Sequence, residues 1–191
     1  MKTVIIFFSM LLFVGCGCKE EIIRYPLNTY EKNIIPYTET QVLEYKNENV
    51  EIVKATVSGK EVSEKDLNIS DDEGCISNLM ESHQCKIIFN NTKRNLFINV
   101  EKSYQNTLFY IYEIDNNQQS MVNFDIKNYN NQNIEEALTN ISIEGFQYND
   151  VFVFEVNPNN IESDFETIVY SPQKGIVFLK KRTGGYLKLE E

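Results

Sequence analysis

From about residue 41 onward, apolar residues recur at every second position. That is the period of a half-buried strand, not the three-to-four spacing of an amphipathic helix. Val42-Leu43-Glu44-Tyr45 leads to an Asn47-Glu48-Asn49 turn and a second run from Val50 to Val57, which Ser58-Gly59 is expected to end. Lys86–Asn90 and Leu96–Val100 flank Asn91–Arg94, a hairpin turn by composition. Thr107–Ile114 sets Leu108, Tyr110, Tyr112 and Ile114 on one face against Thr107, Phe109, Ile111 and Glu113 on the other. Further strands are predicted at Ser120–Ile126, Ile141–Glu144, Val151–Val156, Thr167–Tyr170, Gly175–Leu179 and Tyr186–Leu189. Val151–Val156 is apolar on both faces and predicts a central strand. Helix signal is confined to one or two turns in Ser77–His83 and another in Asn133–Leu138, and Lys127–Asn133 is expected to be a polar loop. About ten short strands between Asn-, Gly- and Pro-rich turns predict an all-β fold: an antiparallel sheet, sandwich or partial barrel, with room for one or two short helices.

The first residues break this pattern. Lys2 precedes a nearly unbroken apolar run from Thr3 to Val14. The run is shorter than the ~20 residues of a spanning helix and fits the apolar region of a signal peptide. Phe13-Val14-Gly15-Cys16 then resembles the lipobox of bacterial lipoproteins, with Phe13 standing where Leu is usual. The resemblance implies removal of residues 1–15 and lipidation of Cys16; the competing Cys18 lacks the apolar lead-in. Lys19-Glu20-Glu21 resembles the surface-export signal of Bacteroidetes lipoproteins. Tyr170-Ser171-Pro172 leading to Gly175-Ile176, followed by the Thr183-Gly184-Gly185 turn, is similar to the C-terminal meander of small flavobacterial lipoproteins. These resemblances imply an outer-membrane, surface-exposed, lipid-anchored protein, with the periplasmic face as the alternative. They carry no activity. Residues 16–40 are expected to be a tether, with Ile34-Ile35 docking, and residues 41–191 a single β-rich domain.

Composition narrows the chemistry. The chain has 191 residues with a net charge of −10, so it lacks the basic surface that phosphate backbones require, and no nucleic-acid partner is expected. It has one His and no Trp, which removes His-rich metal sites and weakens any sugar-stacking role. Cys75 and Cys85 are ten apart, around the expected helical turn. In an oxidising compartment an even pair is expected to form a disulfide. His83 between them has no accompanying catalytic motif and is expected to be an ordinary exposed residue. Asp71-Asp72-Glu73-Gly74 lacks the alternation of a calcium loop. Glu135-Glu136 and Glu190-Glu191 are expected to be solvated. The 23 Asn fit turn chemistry, and the Tyr and Phe residues fit a core.

No catalytic residue, metal site or cofactor emerges. A non-enzymatic binding module of the envelope, with an envelope protein as its expected partner, is the leading expectation. One alternative is a carrier of lipid or apolar ligand in a half-open barrel. The other is a hydrolase using carboxylates dispersed along the chain. An empty aromatic-lined interior would favour the carrier, and converging carboxylates in a deep pocket the hydrolase.

Overall fold

A computed structural model describes residues 21–67, 76–90, 92–104, 106–117, 120–130, 133–158 and 160–190. The alternating segments form strands β1 (Glu21–Tyr25), β2 (Val42–Asn47), β3 (Ile52–Leu67), β4 (Ile76–Phe89), β5 (Arg94–Ser103), β6 (Asn106–Asp115), β7 (Met121–Asn123), β8 (Lys127–Asn130), β9 (Thr139–Ile143), β10 (Phe146–Glu155), β11 (Phe165–Ser171), β12 (Gly175–Lys181) and β13 (Tyr186–Leu189). They join one sheet in the order β7-β6-β5-β4-β3-β2-β13-β12-β11-β10-β9, with β8 on β6 and β1 on β4. Neighbours are antiparallel except β1 and β4, which run parallel. The all-β expectation holds.

The sheet curls into a half-barrel. Its edge is pinned where Phe124, just after β7, bridges to Val156, just after β10. There the Asp125 amide donates to the Glu155 carbonyl at 2.8 Å, and the Glu155 amide donates to Asp125 Oδ1 at 2.7 Å. The inward positions meet across the interior. Phe109 on β6 packs edge-on against Phe152 and Phe154 of β10 and Tyr170 of β11, with ring centroids 5.1–5.2 Å apart. Tyr45, Phe89 and Phe165 continue the stack, so the interior is packed side chain. A second, smaller cluster lies on the other face, where Val151, Val169, Val177 and Phe178 are covered by Phe146, Tyr148 and Tyr186. This is why Val151–Val156, at the end of β10, reads as apolar on both faces.

Several segments depart from expectation. Ser58-Gly59 does not end a strand. Gly59, at φ +94°, sits in a bulge between Val57 and Lys60, and β3 runs on to Leu67, 16 residues in all. Ser77–His83 is not helical but lies in the first half of β4, where cross-strand pairing with β3, β1 and β5 overrides a weak local helix preference. Asn133–Leu138 contributes one 3-10 turn, Ile134–Ala137. Lys127–Asn130 is a strand rather than loop, with Tyr129 turned into the core.

The expected tether is also structured from Glu21 onward. β1 pairs with the start of β4. Helix α1 (Thr29–Asn33) follows, opened by a capping box in which Asn28 Oδ1 accepts from the Glu31 amide and Glu31 Oε2 accepts from the Asn28 amide. Leu27, Ile34, Ile35 and Tyr37 are all buried, so this strap plugs one end of the half-barrel. Ile34-Ile35 docks as expected. Gly175, at φ +78°, makes room for the plug, since a Cβ there would lie 2.0 Å from Tyr37 Oη. Beyond the strap, β1 and the first half of β4, with the second half of β3, form an arm leading away from the barrel.

Candidate functional site

The sheet register places five strand ends together, opposite the strap. Arg94, the start of β5, pairs with Asp115, the end of β6. Phe165, the start of β11, pairs with Lys181, the end of β12, and the end of β2 joins them through Asn47 and Leu187. Eight residue steps along β5, from Arg94 to Lys102 beside the strap, span roughly 26 Å. The loops beyond these ends surround a cleft of about 1060 Å³, here called the mouth, whose walls include Arg94, Glu162, Asp164, Phe165, Arg182 and Leu187.

Its polar lining is unusual for the end of an aromatic core. Thr107, Phe109, Ile111 and Glu113 are the buried positions of β6, so Glu113 continues the apolar face and is fully buried just behind the mouth. Burial pushes its carboxyl up to about 7. The neighbouring Ser163 hydroxyl opposes that shift, the nearby Asp164 charge adds to it, and the Asp164 amide and Arg94 guanidinium oppose it. The Asp164 amide donates to Glu113 Oε2 at 3.2 Å. Ser163 holds its own turn, accepting from the Phe165 amide at 3.2 Å and donating to the Phe165 carbonyl at 2.5 Å.

Arg94 is buried and committed. Its Nη2 donates to Ser120 Oγ at 2.6 Å and to Glu162 Oε2 at 3.0 Å. Arg182 is not committed in the same way. Its amide donates to the Asp164 carbonyl at 3.2 Å and its Nη1 reaches the Pro158 carbonyl at 3.5 Å. Its buried Nε and Nη2 have no hydrogen-bond partner among the described residues, nor do Asp164 Oδ2 and Glu113 Oε1. Unsatisfied buried polar atoms are rare in folded proteins and concentrate where a ligand or water completes them.

The residues singled out in the sequence lie elsewhere. Cys16, Lys19, Glu20 and Cys75 lie outside the described residues, as does the Asp71-Asp72-Glu73-Gly74 cluster. Glu21 is exposed at the start of β1, on the arm. Cys85 is a free, buried thiol in β4, and burial pushes it up to about 12. The partner expected for it in a disulfide, Cys75, lies outside the described residues. His83 is buried rather than exposed, because it occupies an inward position of β4; its Nε2 lies 2.8 Å from Glu81 Oε1. Glu190 pairs with Lys46 at the surface.

The mouth itself escaped sequence reasoning because its groups come from four separate segments. One signal was present: Glu113 stands in the same alternating phase as Phe109 and Ile111. No group of three or more His, Cys, Asp or Glu side chains able to hold a metal ion occurs among the described residues. No helix among them is long and apolar enough to cross a membrane. No family model, curated protein or solved structure matches the chain.

Proposed function

We propose that the protein is a lipid-anchored, exported envelope protein acting as a non-enzymatic binding module, tethered through Cys16 and engaging its ligand at the mouth. The observation that carries the binding role is the set of unpartnered charged atoms on Arg182 and Asp164 at a roomy cleft. The anchor rests on the signal-peptide pattern and Phe13-Val14-Gly15-Cys16, and surface display on Lys19-Glu20-Glu21. The layout suits such a role. The chain enters through β1 at the tip of the arm, and the thirteen steps of β4 from Ile76 to Phe89 carry it roughly 43 Å toward the mouth.

The carrier alternative has less support, because Phe109, Phe152, Phe154 and Tyr170 occupy the interior that an apolar ligand would need. The hydrolase alternative draws on Glu113 and Asp164, but Glu113 is not among the residues that line the mouth.

Two measurements test this proposal. Metabolic fatty-acid labelling is expected in the wild type and lost in Cys16→Ala; labelling that survives refutes the anchor. A photo-crosslinker at exposed Thr183, beside the mouth, is expected to capture an envelope component that the same probe at exposed Val62, on the arm, does not. Equal capture at both positions refutes the mouth as the binding surface.

A further inference from the structure

Arginine offers two hydrogen-bonding edges, and the one formed by Nε and the nearer terminal nitrogen presents two parallel N–H groups. In Arg182 those are the two buried nitrogens that lack a partner, while the other edge carries the long contact to Pro158. Arg94, whose Nη2 is satisfied by Ser120 and Glu162, shows that the fold can supply acceptors at this end of the barrel. Close by in the chain fold, Asp164 keeps Oδ2 unpartnered, and its backbone carbonyl accepts from the Arg182 amide, so the two residues are neighbours. No hydrogen bond joins Asp164 Oδ2 to Arg182 Nε or Nη2. An unfilled two-donor edge beside an unfilled acceptor specifies what would complete them.

We propose that the mouth recognises a two-oxygen anionic group, a carboxylate or a phosphate, held side-on by Arg182 Nε and Nη2, with Asp164 Oδ2 accepting a hydrogen bond from an N–H or O–H on the same molecule. This rests on the mouth being the binding site and names the ligand class it takes. A ligand bearing only an anion fills half of the arrangement. One bearing an anion and a neighbouring donor fills both halves and is the better fit.

The test is a titration of the full chain followed through the side-chain Nε–H resonances of its arginines, at constant ionic strength with chloride as reference. Acetate, inorganic phosphate and glycine are the probes. The Arg182 resonance is expected to move saturably with acetate or phosphate, and the responding anion identifies the group. Glycine, which adds an ammonium donor, is expected to bind more tightly than acetate, and Asp164→Asn is expected to remove that advantage. Arg182→Lys, which keeps the charge and loses the paired edge, is expected to weaken binding about tenfold, read from the backbone amides of Phe165 and Leu187. An Arg182 signal unmoved by acetate, phosphate and glycine at tens of millimolar overturns the proposal, as does undiminished binding by the lysine variant. If the Thr183 crosslink still forms in either case, the anion assignment falls and the binding-module proposal stands.

Discussion

The two ends of the half-barrel use similar side chains to opposite effect. At the strap end, Glu31 is buried, but each oxygen has a partner: Lys102 Nζ at 3.0 Å, the Thr107 hydroxyl, and the Asn28 amide at 2.7 Å. The same end ties Tyr170 Oη to the Ile34 carbonyl at 2.8 Å, Tyr45 Oη to the Ile176 carbonyl at 3.0 Å, and the Ile176 amide to Tyr37 Oη at 2.5 Å. At the mouth, Glu113 is at least as deeply buried, yet it has one oxygen unpartnered and is pushed toward its neutral form. The buried charge at the strap end is paired and joins the N-terminal segment to the core, although the Tyr30 and Tyr129 hydroxyls there have no hydrogen-bond partner among the described residues. Incomplete pairing at the mouth leaves groups ready for something else, at a cost to the free protein.

The contrast can be broken at four points. The largest effect is expected between the two ends, at Phe109, whose ring joins β6 to β10 and β11. Phe109→Ala is expected to cost about 3–5 kcal/mol in chemical denaturation, and a loss near 1 kcal/mol would mean a loosely filled interior.

Glu113 tests the mouth's electrostatics. Its folded-state carboxyl stands at about 7, above its ordinary 4.5, so the folded chain holds a proton that the unfolded chain releases between those values. The stabilisation is therefore present below about 4.5 and is lost as pH rises through about 7. Relative to Glu113→Gln, the wild type is expected to match at about pH 5 and to be less stable by roughly 3 kcal/mol at about pH 9. Parallel pH profiles for the two would contradict the buried, neutral acid.

Glu31→Gln, at the closed end, is expected to cost about 2 kcal/mol at neutral pH, because Lys102 loses its charged partner while the capping geometry survives. A cost of only a few tenths would make the strap's ion pair incidental. The smallest effect belongs to Arg182→Gln, expected to change unfolding free energy by no more than about 0.5 kcal/mol, since its inner edge bonds to nothing in the free protein.

What was legible in the sequence follows from what is local. Alternation at Thr107–Ile114 exposed a half-buried strand, because a pleated backbone turns successive side chains to opposite faces, and the short apolar run Val151–Val156 exposed one covered on both faces. The Thr183–Gly185 turn was visible from its glycines, both at positive φ, whereas Arg94, expected to belong to a turn, is the first residue of β5. Ser77–His83 was misread because strand pairing decided it, with β3 on one side and β1 and β5 on the other, and the residues it pairs with lie eleven or more positions away in the chain. The strap was half legible: Ile34-Ile35 signalled docking, but the barrel end they fill is made by residues more than a hundred positions away. The mouth was least legible. Arg94, Glu113, Asp164 and Arg182 become neighbours only through sheet register, and nothing local distinguishes Arg182 from any other arginine after a strand.

The division of labour between the ends is tested most directly by one paired measurement. Urea unfolding of wild type and Arg182→Gln is followed without and with saturating glycine. Glycine is expected to stabilise the wild type through binding to the folded state and to leave the variant unchanged, while the two proteins unfold together in its absence. A variant already destabilised by more than about 2 kcal/mol without glycine, or stabilised by glycine as much as the wild type, would show Arg182 to be part of the scaffold and contradict a mouth left open for a ligand.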